Sequence, residues 1–284
     1  MSSQLTWIIT GTSSGFGEIF VKQILARGDK VIATARSLSK IQHLKDAGAS
    51  TLELDVTAPQ SVLDAKSKEA IAIYGRIDVL VNNAGYCGLG TLEDVNHETW
   101  VQQYNTNVFG AVDVTRAFMP HFREKKAGTV IFVGSIAGWA GSAAAGPYCS
   151  SKFALQGIAE SFAAEAAPLG IKSMVVEPGL FRTSFLKPDN TNFMETQFAE
   201  YKEMTEGLYG AMAQYNGKQP GDPEKGVAAI LDVVKQEGKA SGRGMPGHLL
   251  LGTDAVATVR KECLETLELL KKWEDISSST DLSE

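Results

Sequence analysis

Short runs of aliphatic and β-branched residues alternate along this chain with longer segments of helical periodicity. Apolar residues in the longer segments recur at helical spacing, as Phe20 and Ile24 do, and Gly28 then stands where a helix C-terminus favours glycine. Strands that alternate with helices of this length form βαβ units, in which the strands are parallel and helices cover both faces of the sheet. The chain is therefore predicted to be an α/β protein with a doubly wound parallel sheet.

The predicted sheet is of the Rossmann type, with about seven strands in a single domain spanning 1–284. The predicted strands are 5–10, 30–35, 51–54, 77–81, 129–133, 171–176 and 248–251. The segment 185–223 breaks the alternation with proline, glycine and asparagine residues, and we expect it to cover a substrate site. Residues 277–284 are polar and are predicted to form a flexible tail.

Charge and composition exclude several classes of function. The formal net charge of −6 disfavours binding to nucleic acid or to an anionic membrane, since both need a basic surface. No segment reaches the ~18 apolar residues of a membrane span, and the first strand begins too early for a cleavable signal. The three cysteines form no CxxC pair and the four histidines show no metal-ligand spacing. Reduced thiols, no bound metal and a cytoplasmic location are therefore expected.

The turn after the first predicted strand is rich in glycine, with Gly11, Gly15 and Gly17 in the segment 10–17. Glycines allow a tight turn and a close approach to pyrophosphate, and the N-terminus of the next helix favours anions. The pattern alone is weak, but its place between the first strand and the first helix favours a dinucleotide site. Arg36 stands near the end of the second strand, where NAD sites usually carry an acid, so NADP(H) is the predicted cofactor.

Tyr148 and Lys152 are four residues apart at the start of a helical segment, so they share one helix face. A free tyrosine has a pKa near ~10, and a neighbouring ammonium would stabilise its phenolate and lower that pKa. Ser135 ends the fifth predicted strand at the same edge of the sheet, where it can hydrogen-bond a substrate oxygen. The alternative interpretations are an accidental surface pair for the first two residues and a helix-capping role for Ser135.

Six motifs in order make the chain resemble the short-chain dehydrogenase/reductase family, in its shorter, single-domain branch. The resemblance covers about residues 10–260. In addition, VIATAR at 31–36 and GDPE at 221–224 resemble the group around hydroxysteroid and retinol dehydrogenases. The matching segments are TGTSSGFG at 10–17, NNAG at 82–85, Asn107 in NVFG, Ser135, Tyr148 with Lys152 in YCSSK, and EPG at 177–179 with Thr183.

The resemblance implies a role for each matching polar residue. Tyr148 would donate a proton to the carbonyl oxygen in reduction or accept one in oxidation. Lys152 would lower the pKa of that tyrosine and bind the nicotinamide ribose. Ser135 would orient the carbonyl, and Asn107 would hold a water that links Lys152 to solvent.

The residues expected to bind NADP(H) follow successive strands of the sheet. Asp55 would accept a hydrogen bond from the adenine amino group, and Thr183 would bind the nicotinamide carboxamide. The full predicted set is Gly11, Ser13, Ser14, Gly15, Phe16, Gly17, Arg36, Ser37, Asp55, Val56, Asn83, Ala84, Gly85, Tyr148, Lys152, Pro178, Gly179 and Thr183.

The predicted reaction is hydride transfer between the nicotinamide and a hydrophobic ketone or secondary alcohol. The expected substrate pocket is mostly apolar and contains Tyr86, Cys87, Leu89, Ile136, Trp139, Phe181 and Phe185. Two alternatives stay open: another reaction on the same scaffold, such as epimerisation or enoyl reduction, and a non-catalytic NADP-sensing protein. The resemblance also implies a homodimer or homotetramer that pairs through the helical segments 97–125 and 148–167.

Overall fold

The predicted parallel sheet is confirmed in the computed structural model, which describes residues 4–187 and 190–282. Its seven strands are β1 (Thr6–Ile9), β2 (Lys30–Ala35), β3 (Ser50–Glu53), β4 (Val79–Asn82), β6 (Gly128–Val133), β7 (Ile171–Pro178) and β9 (His248–Leu251). Every pairing is parallel, and the strand order is β3-β2-β1-β4-β6-β7-β9. A separate small sheet pairs two three-residue strands, β5 (Cys87–Leu89) and β8 (Thr191–Phe193).

Helices connect these strands, and none of those described is long and apolar enough to cross a membrane. They are α1 (Gly15–Ala26), α2 (Gln42–Asp46), α3 (Gln60–Tyr74), α4 (His97–Tyr104), α5 (Gly110–Lys125), α6 (Gly146–Ala166), α7 (Ala199–Tyr215), α8 (Pro223–Lys235) and α9 (Thr253–Ser278). A π-helical turn over Asn105–Phe109 joins α4 to α5.

Two hydrophobic cores lie on opposite faces of the sheet because successive strand residues point to opposite sides. In β1, Trp7 and Ile9 belong to the core under α1 and α8, whereas Ile8 belongs to the core under α3, α5 and α6. All three side chains are completely buried. This double cover explains why the strands are almost continuously apolar, as the sequence suggested.

The strand order reverses between β1 and β4, because the chain runs outward from β1 to β3 and then returns to β4. At such a switch point the turns that follow the two strands diverge, and they leave a crevice beyond the carboxyl ends. The backbone N–H of Thr10 donates to the carbonyl of Val81 across this point at 3.0 Å. The crevice therefore begins immediately beyond a hydrogen-bonded strand pair.

Two elements of the structure were not predicted as regular structure. The small sheet joins Cys87 to Thr191 and Leu89 to Phe193, so the segment 185–223 is tied to the turn after β4. Within that segment, Pro188 lies outside the described residues. The second element is α9, which reaches Ser278 and so includes the first two residues of the predicted tail; residues 283 and 284 lie outside the described part.

Gly17 provides a test of how tightly the first turn packs. A Cβ at this position would lie 2.2 Å from the carbonyl oxygen of Gly11 and 2.7 Å from Nδ2 of Asn83. We expect Gly17→Ala to lower the free energy of unfolding by about 1–3 kcal/mol, the usual effect of overpacking. Urea denaturation measures this loss.

Gly207 is the matched control, since it lies inside α7 with nothing within 4 Å of its Cβ position. Gly207→Ala is expected to stabilise the protein by about 0.5–1 kcal/mol, because alanine loses less backbone entropy in a helix. Equal effects of the two substitutions would contradict the close packing at Gly17.

Candidate active site

A cavity of about 930 Å³ lies at the carboxyl edge of the sheet. Its walls come from the turns after β1, β2, β3, β4, β6 and β7, with α6 and α7 closing the remaining sides. Each of these strands is parallel to its neighbours, so their carboxyl ends converge on this one edge. The chemistry predicted for six separate parts of the sequence is thereby brought into a single space.

The glycine-rich turn forms one end of the cavity with left-handed backbone at Gly11 (φ +68°) and Gly15 (φ +58°). Non-glycine residues rarely adopt such angles. A Cβ on Gly11 would also lie 2.8 Å from Cα of Ala84, so this position needs glycine for both angle and space. The first turn of α1 follows, where backbone N–H groups lack intrahelical acceptors and point toward the cavity end of the helix.

Asn83 and Thr10 hold the first turn against the turn after β4. The side-chain amide of Asn83 donates to the carbonyls of Thr10 and Gly11, at 2.9 Å each. In return, Oγ1 of Thr10 accepts from the backbone N–H groups of Asn83 and Ala84. Asn83, predicted only as a cofactor-binding residue, therefore also holds these two turns together.

The ends of β2 and β3 supply the polar residues at the same end. Arg36 is exposed, lines the cavity, and makes no ion pair or hydrogen bond within the described residues. Asp55 also lines the cavity, and its Oδ1 accepts from the backbone N–H and the hydroxyl of Thr57. Val56 packs beside it as a buried residue. The guanidinium of Arg36 is therefore free to bind an anion at this end of the cavity.

Ser135, Tyr148 and Lys152 meet in the middle of the cavity. Oγ of Ser135 caps a short helical turn by accepting from the N–H of Ala137 at 3.1 Å, and its hydroxyl hydrogen-bonds the phenol of Tyr148. Nζ of Lys152 donates to the carbonyl of Val133 at 2.8 Å and lies 5.7 Å from the centre of the Tyr148 ring. Ser135 therefore caps the helical turn and contacts Tyr148 at the same time.

Burial dominates the electrostatics of this cluster. It raises the pKa of Tyr148 above its ordinary value, the thiol of Cys87 adds to that increase, and the hydrogen bond from Ser135 opposes it. Burial also lowers the pKa of Lys152 to about 8. Lys152 is not among the groups that shift the pKa of Tyr148 in this arrangement, where its ammonium donates to a backbone carbonyl. The effect of Lys152 on the tyrosine stays a prediction.

Asn107 lies behind the cavity wall and does not line it. Its side chain is buried in the π-helical turn, where Oδ1 accepts from the N–H of Tyr86 and Nδ2 donates to the carbonyl of Tyr86 and to Oγ of Ser151. A Cβ on Gly85 would lie 3.2 Å from Oδ1 of Asn107 and 3.9 Å from Nζ of Lys152. The amide is thus close to the lysine through the space beside Gly85.

Most of the predicted cofactor residues line the cavity, but Gly17 and Ser37 do not. Gly17 packs against the backbone of the first turn, so it shapes the site from beneath. The hydroxyl of Ser37 is directed to Ser39 at 2.9 Å. The cavity-lining members of the predicted set are Gly11, Ser13, Ser14, Gly15, Phe16, Arg36, Asp55, Val56, Asn83, Ala84, Gly85, Tyr148, Lys152, Pro178, Gly179 and Thr183.

Trp139 was predicted to line the substrate pocket, and that prediction is wrong. Its Nε1 donates to Oε1 of Glu177 at 2.7 Å, which turns the indole toward β7 and away from the cavity. Glu177 is almost fully buried, and its Oε2 lies 3.1 Å from Nδ1 of His248. Burial raises the pKa of this carboxyl. These contacts fix the strand end that leads into Pro178.

The other end of the cavity is apolar, and α7 contributes to it. Cys87, Leu89 and Cys149 form a small buried cluster against which Phe185 and Met212 pack. Burial raises the pKa of Cys87 to about 12, so its thiol stays protonated. Leu208 and Met212 were not predicted as site residues; their spacing of four residues on one helix was the available signal.

The described residues contain no group of three or more His, Cys, Asp or Glu side chains arranged to hold a metal ion. The ionisable groups that line the cavity are its tyrosines and cysteines together with Arg36, Asp55 and Lys152. Two of these charged side chains stand at the end formed by β2 and β3. The remaining ammonium stands beside the tyrosine, so one small region carries the groups able to exchange protons.

Residues 6–193 match the short chain dehydrogenase family, two thirds of the whole chain. The chain therefore belongs to this family and is a nicotinamide-dependent oxidoreductase. Within the family, the branch that contains hydroxysteroid and retinol dehydrogenases is not singled out by these similarities.

Two curated relatives and one solved structure illustrate the similarity. An uncharacterised oxidoreductase, YusZ, of Bacillus subtilis is 38% identical over 239 residues, which cover 81% of this chain and 82% of YusZ. A 3-ketodihydrosphingosine reductase of Bacteroides thetaiotaomicron is 39% identical over 188 residues, covering 66% and 67%. A short-chain dehydrogenase structure from Streptomyces avermitilis has a TM-score of 0.85 at 35% identity and covers 98% of this chain and 99% of its own.

The depressed pKa of Lys152 can be measured directly. In protein labelled with ¹³C at lysine Cε, the Lys152 resonance is expected to titrate near pH 8 without added nucleotide, because burial disfavours the ammonium. Lys152→Met assigns the signal by its disappearance. In urea-unfolded protein the same residue should return to the ordinary value near ~10.4. A midpoint above pH 10 in the folded protein would contradict the desolvation of Lys152.

Proposed function

We propose that this chain catalyses NADP(H)-dependent hydride transfer between the nicotinamide and an apolar ketone or secondary alcohol. The observation that carries the proposal is the meeting of Ser135, Tyr148 and Lys152 in one cavity with the glycine turn of β1. Acid–base groups at one end of a dinucleotide-shaped crevice are what carbonyl reduction requires. Bound NADP(H) would supply or accept the hydride.

The residues at the β1–β2 end fit a phosphorylated adenosine. The turn at Gly11 and Gly15 leaves no side chain between the backbone and a pyrophosphate, and the first turn of α1 offers N–H donors. Arg36 has no partner within the described residues and can pair bidentately with a 2′-phosphate. An acid at this place would repel that phosphate, which supports NADP(H) over NAD(H).

Tyr148 is proposed to exchange a proton with the substrate oxygen, and Ser135 to hold that oxygen in place. A phenol with a raised pKa stays protonated at neutral pH, so it is ready to donate in the reducing direction. Lys152 binds the nicotinamide ribose in this proposal, and its charged form favours loss of the phenol proton. Asn107, close to Lys152 beside Gly85, is proposed to hold a water that connects the lysine to solvent.

The apolar walls support an uncharged, hydrophobic substrate. Leu89, Phe185 and Met212 line the end beyond the tyrosine, and the protonated thiol of Cys87 adds no charge there. A relative of 39% identity is a 3-ketodihydrosphingosine reductase by name, that is, a reductase of a ketone. We propose that the segment 185–223 covers this end and encloses the apolar part of the substrate.

An oligomer through the helices that flank β6 remains part of the proposal. Phe109, between α4 and α5, and Phe153, in α6, are about half exposed on these helices. Exposed aromatic side chains of this size are common at interfaces between subunits.

Arg36→Ala tests the choice of dinucleotide. Loss of a charge-assisted pair costs about 1.5–3 kcal/mol, so NADPH should bind roughly 10- to 150-fold more weakly, with a reduced dependence on salt. Binding of NADH should not change. Lys40→Ala is the matched control, since it removes one nearby exposed charge that does not line the cavity. Unchanged NADPH affinity in Arg36→Ala would contradict the proposed contact.

Tyr148→Phe tests the proton transfer. It removes one hydroxyl, and turnover of NADPH with a panel of apolar ketones should fall by about 10²–10⁴ while NADPH still binds. Tyr86→Phe removes another hydroxyl at the cavity wall and should retain most of the activity. A parent protein that binds NADPH but reduces no ketone would instead indicate a sensor.

A further inference from the structure

The helix α9 leaves the body of the protein after its first two turns. Its buried residues are Ala255 and Val259, whereas every residue from Cys263 to Leu282 is exposed. At 1.5 Å per residue, the part from Arg260 to Ser278 extends for about 28 Å. A helix this long without tertiary contacts is marginal in water, because most helical stability in proteins comes from packing.

The exposed part of α9 is strongly apolar on one side. The large apolar side chains on or beside this side are each between 47% and 61% exposed, and they are Leu267, Leu269, Leu270, Trp273 and Ile276. Leu264, also exposed, points away from it. Exposed apolar surface of this extent marks a contact surface in soluble proteins. The side in question is continuous with the buried Val259, since positions 259, 263, 266, 270 and 273 follow helical spacing along one face.

The spacing on this face is that of a helix pair. Cys263 and Leu270 are seven residues apart, as are Thr266 and Trp273. Along the helix the four positions are separated by three, four and three residues. These are the a and d positions of a heptad, which form the seam between two packed helices. The seam is flanked by Leu267 and Leu269 at its centre and by charged residues such as Arg260 and Glu274 toward its ends, and charged residues occupy most of the opposite side.

The charges on α9 argue against a membrane surface as the occupant. Between 260 and 276 the helix carries four basic and five acidic residues: Arg260, Lys261, Lys271 and Lys272 against Glu262, Glu265, Glu268, Glu274 and Asp275. Helices that lie in a membrane interface are rich in lysine and arginine on the polar side. A mixed pattern is typical of helices that pair with another helix.

We propose that α9 pairs with α9 of a second copy of this chain in an antiparallel, two-fold arrangement centred near Leu267 and Leu269. In this register the leucines at 267 and 269 each meet their own counterparts across the axis. Arg260 lies opposite Glu274 of the second copy at both ends, and neither residue has an ion-pair partner within the described part of its own chain. A two-fold contact of this kind is self-complementary and closes as a dimer.

The parallel arrangement lacks this charge match. In a parallel pair each flanking residue faces the position five residues away on its partner, which sets Glu262 against Leu267 and Leu269 against Glu274. No opposite charges meet along the seam. The antiparallel pair also places the two bodies at opposite ends, so the bodies do not compete for the apolar face.

This surface differs from the helices that flank β6, and the proposal rests on the exposed helix rather than on the proposed activity. Pairing through α9 would therefore double the number of subunits in whatever assembly the helices α4, α5 and α6 form. Two α4–α6 dimers joined by α9 would form a tetramer or a longer assembly, and a monomer would become a dimer.

Cross-linking distinguishes the two orientations. Cys263 is exposed and would meet its own counterpart only in a parallel pair, whereas in the antiparallel pair the two copies are separated by about ten residues of rise, roughly 15 Å. A short bis-maleimide should therefore leave the parent protein uncross-linked. The double variant Cys263→Ser/Leu267→Cys should form a covalent dimer in high yield at micromolar concentration.

The reverse result, with Cys263 cross-linking and position 267 silent, would overturn the antiparallel arrangement. If neither position cross-links, the face is not a contact between copies of this chain, and the proposal fails. Co-sedimentation of the parent protein with phosphatidylcholine vesicles would then assign the face to a membrane. Ketone reduction by each variant, measured separately, reports on the proposed function and does not enter this decision.

Sedimentation of the full chain gives a second, independent readout. Leu267→Gln/Leu270→Gln should halve the number of subunits, whereas Glu265→Gln/Glu268→Gln, on the opposite side of the helix, should not. Arg260→Glu and Glu274→Arg are each expected to raise the dissociation constant about fivefold, because like charges then face each other. The two together should restore the parent value within about twofold, and failure to restore it would contradict the register.

Discussion

The close contact between the turn after β1 and the turn after β4 is the constraint on which the site depends. Gly11 lies so near Ala84 that a Cβ would meet its Cα at 2.8 Å, and the amide of Asn83 bonds the carbonyls of Thr10 and Gly11. This contact occurs where the strand order reverses, and it keeps the backbone free of side chains at the floor of the crevice. The dinucleotide end and the catalytic end are thereby held on one rigid edge.

Desolvation is the common cause of the unusual properties of the site. It raises the pKa values of Tyr148 and Cys87 and lowers that of Lys152, because each charged form loses water. A protonated phenol suits proton donation to a carbonyl, and a protonated thiol keeps the substrate end uncharged. A hydrogen bond from Lys152 to the carbonyl of Val133 partly offsets the cost of burying the lysine, whose ammonium lies beside the tyrosine.

Local patterns in the sequence predicted the parallel sheet, the glycine turn and the Tyr148–Lys152 pair, since strand periodicity and spacings of four are local properties. Contacts between distant segments were not predictable in this way. The pairing of Cys87 with Thr191 depends on two three-residue strands, and Trp139 turns away from the cavity because Glu177 accepts its N–H. The exposure of α9 depends on what the body leaves uncovered, although its heptad spacing was visible in the sequence.

In the proposed reaction, hydride passes in this cavity from NADPH to the carbonyl carbon of the substrate. NADPH deuterated on both C4 positions, incubated with the protein and an apolar ketone, tests it most directly through mass spectrometry and NMR of the product. We expect a secondary alcohol with one deuterium on its carbinol carbon, formed in proportion to NADP⁺. An absence of label at that carbon, with NADPH bound and intact, would contradict it.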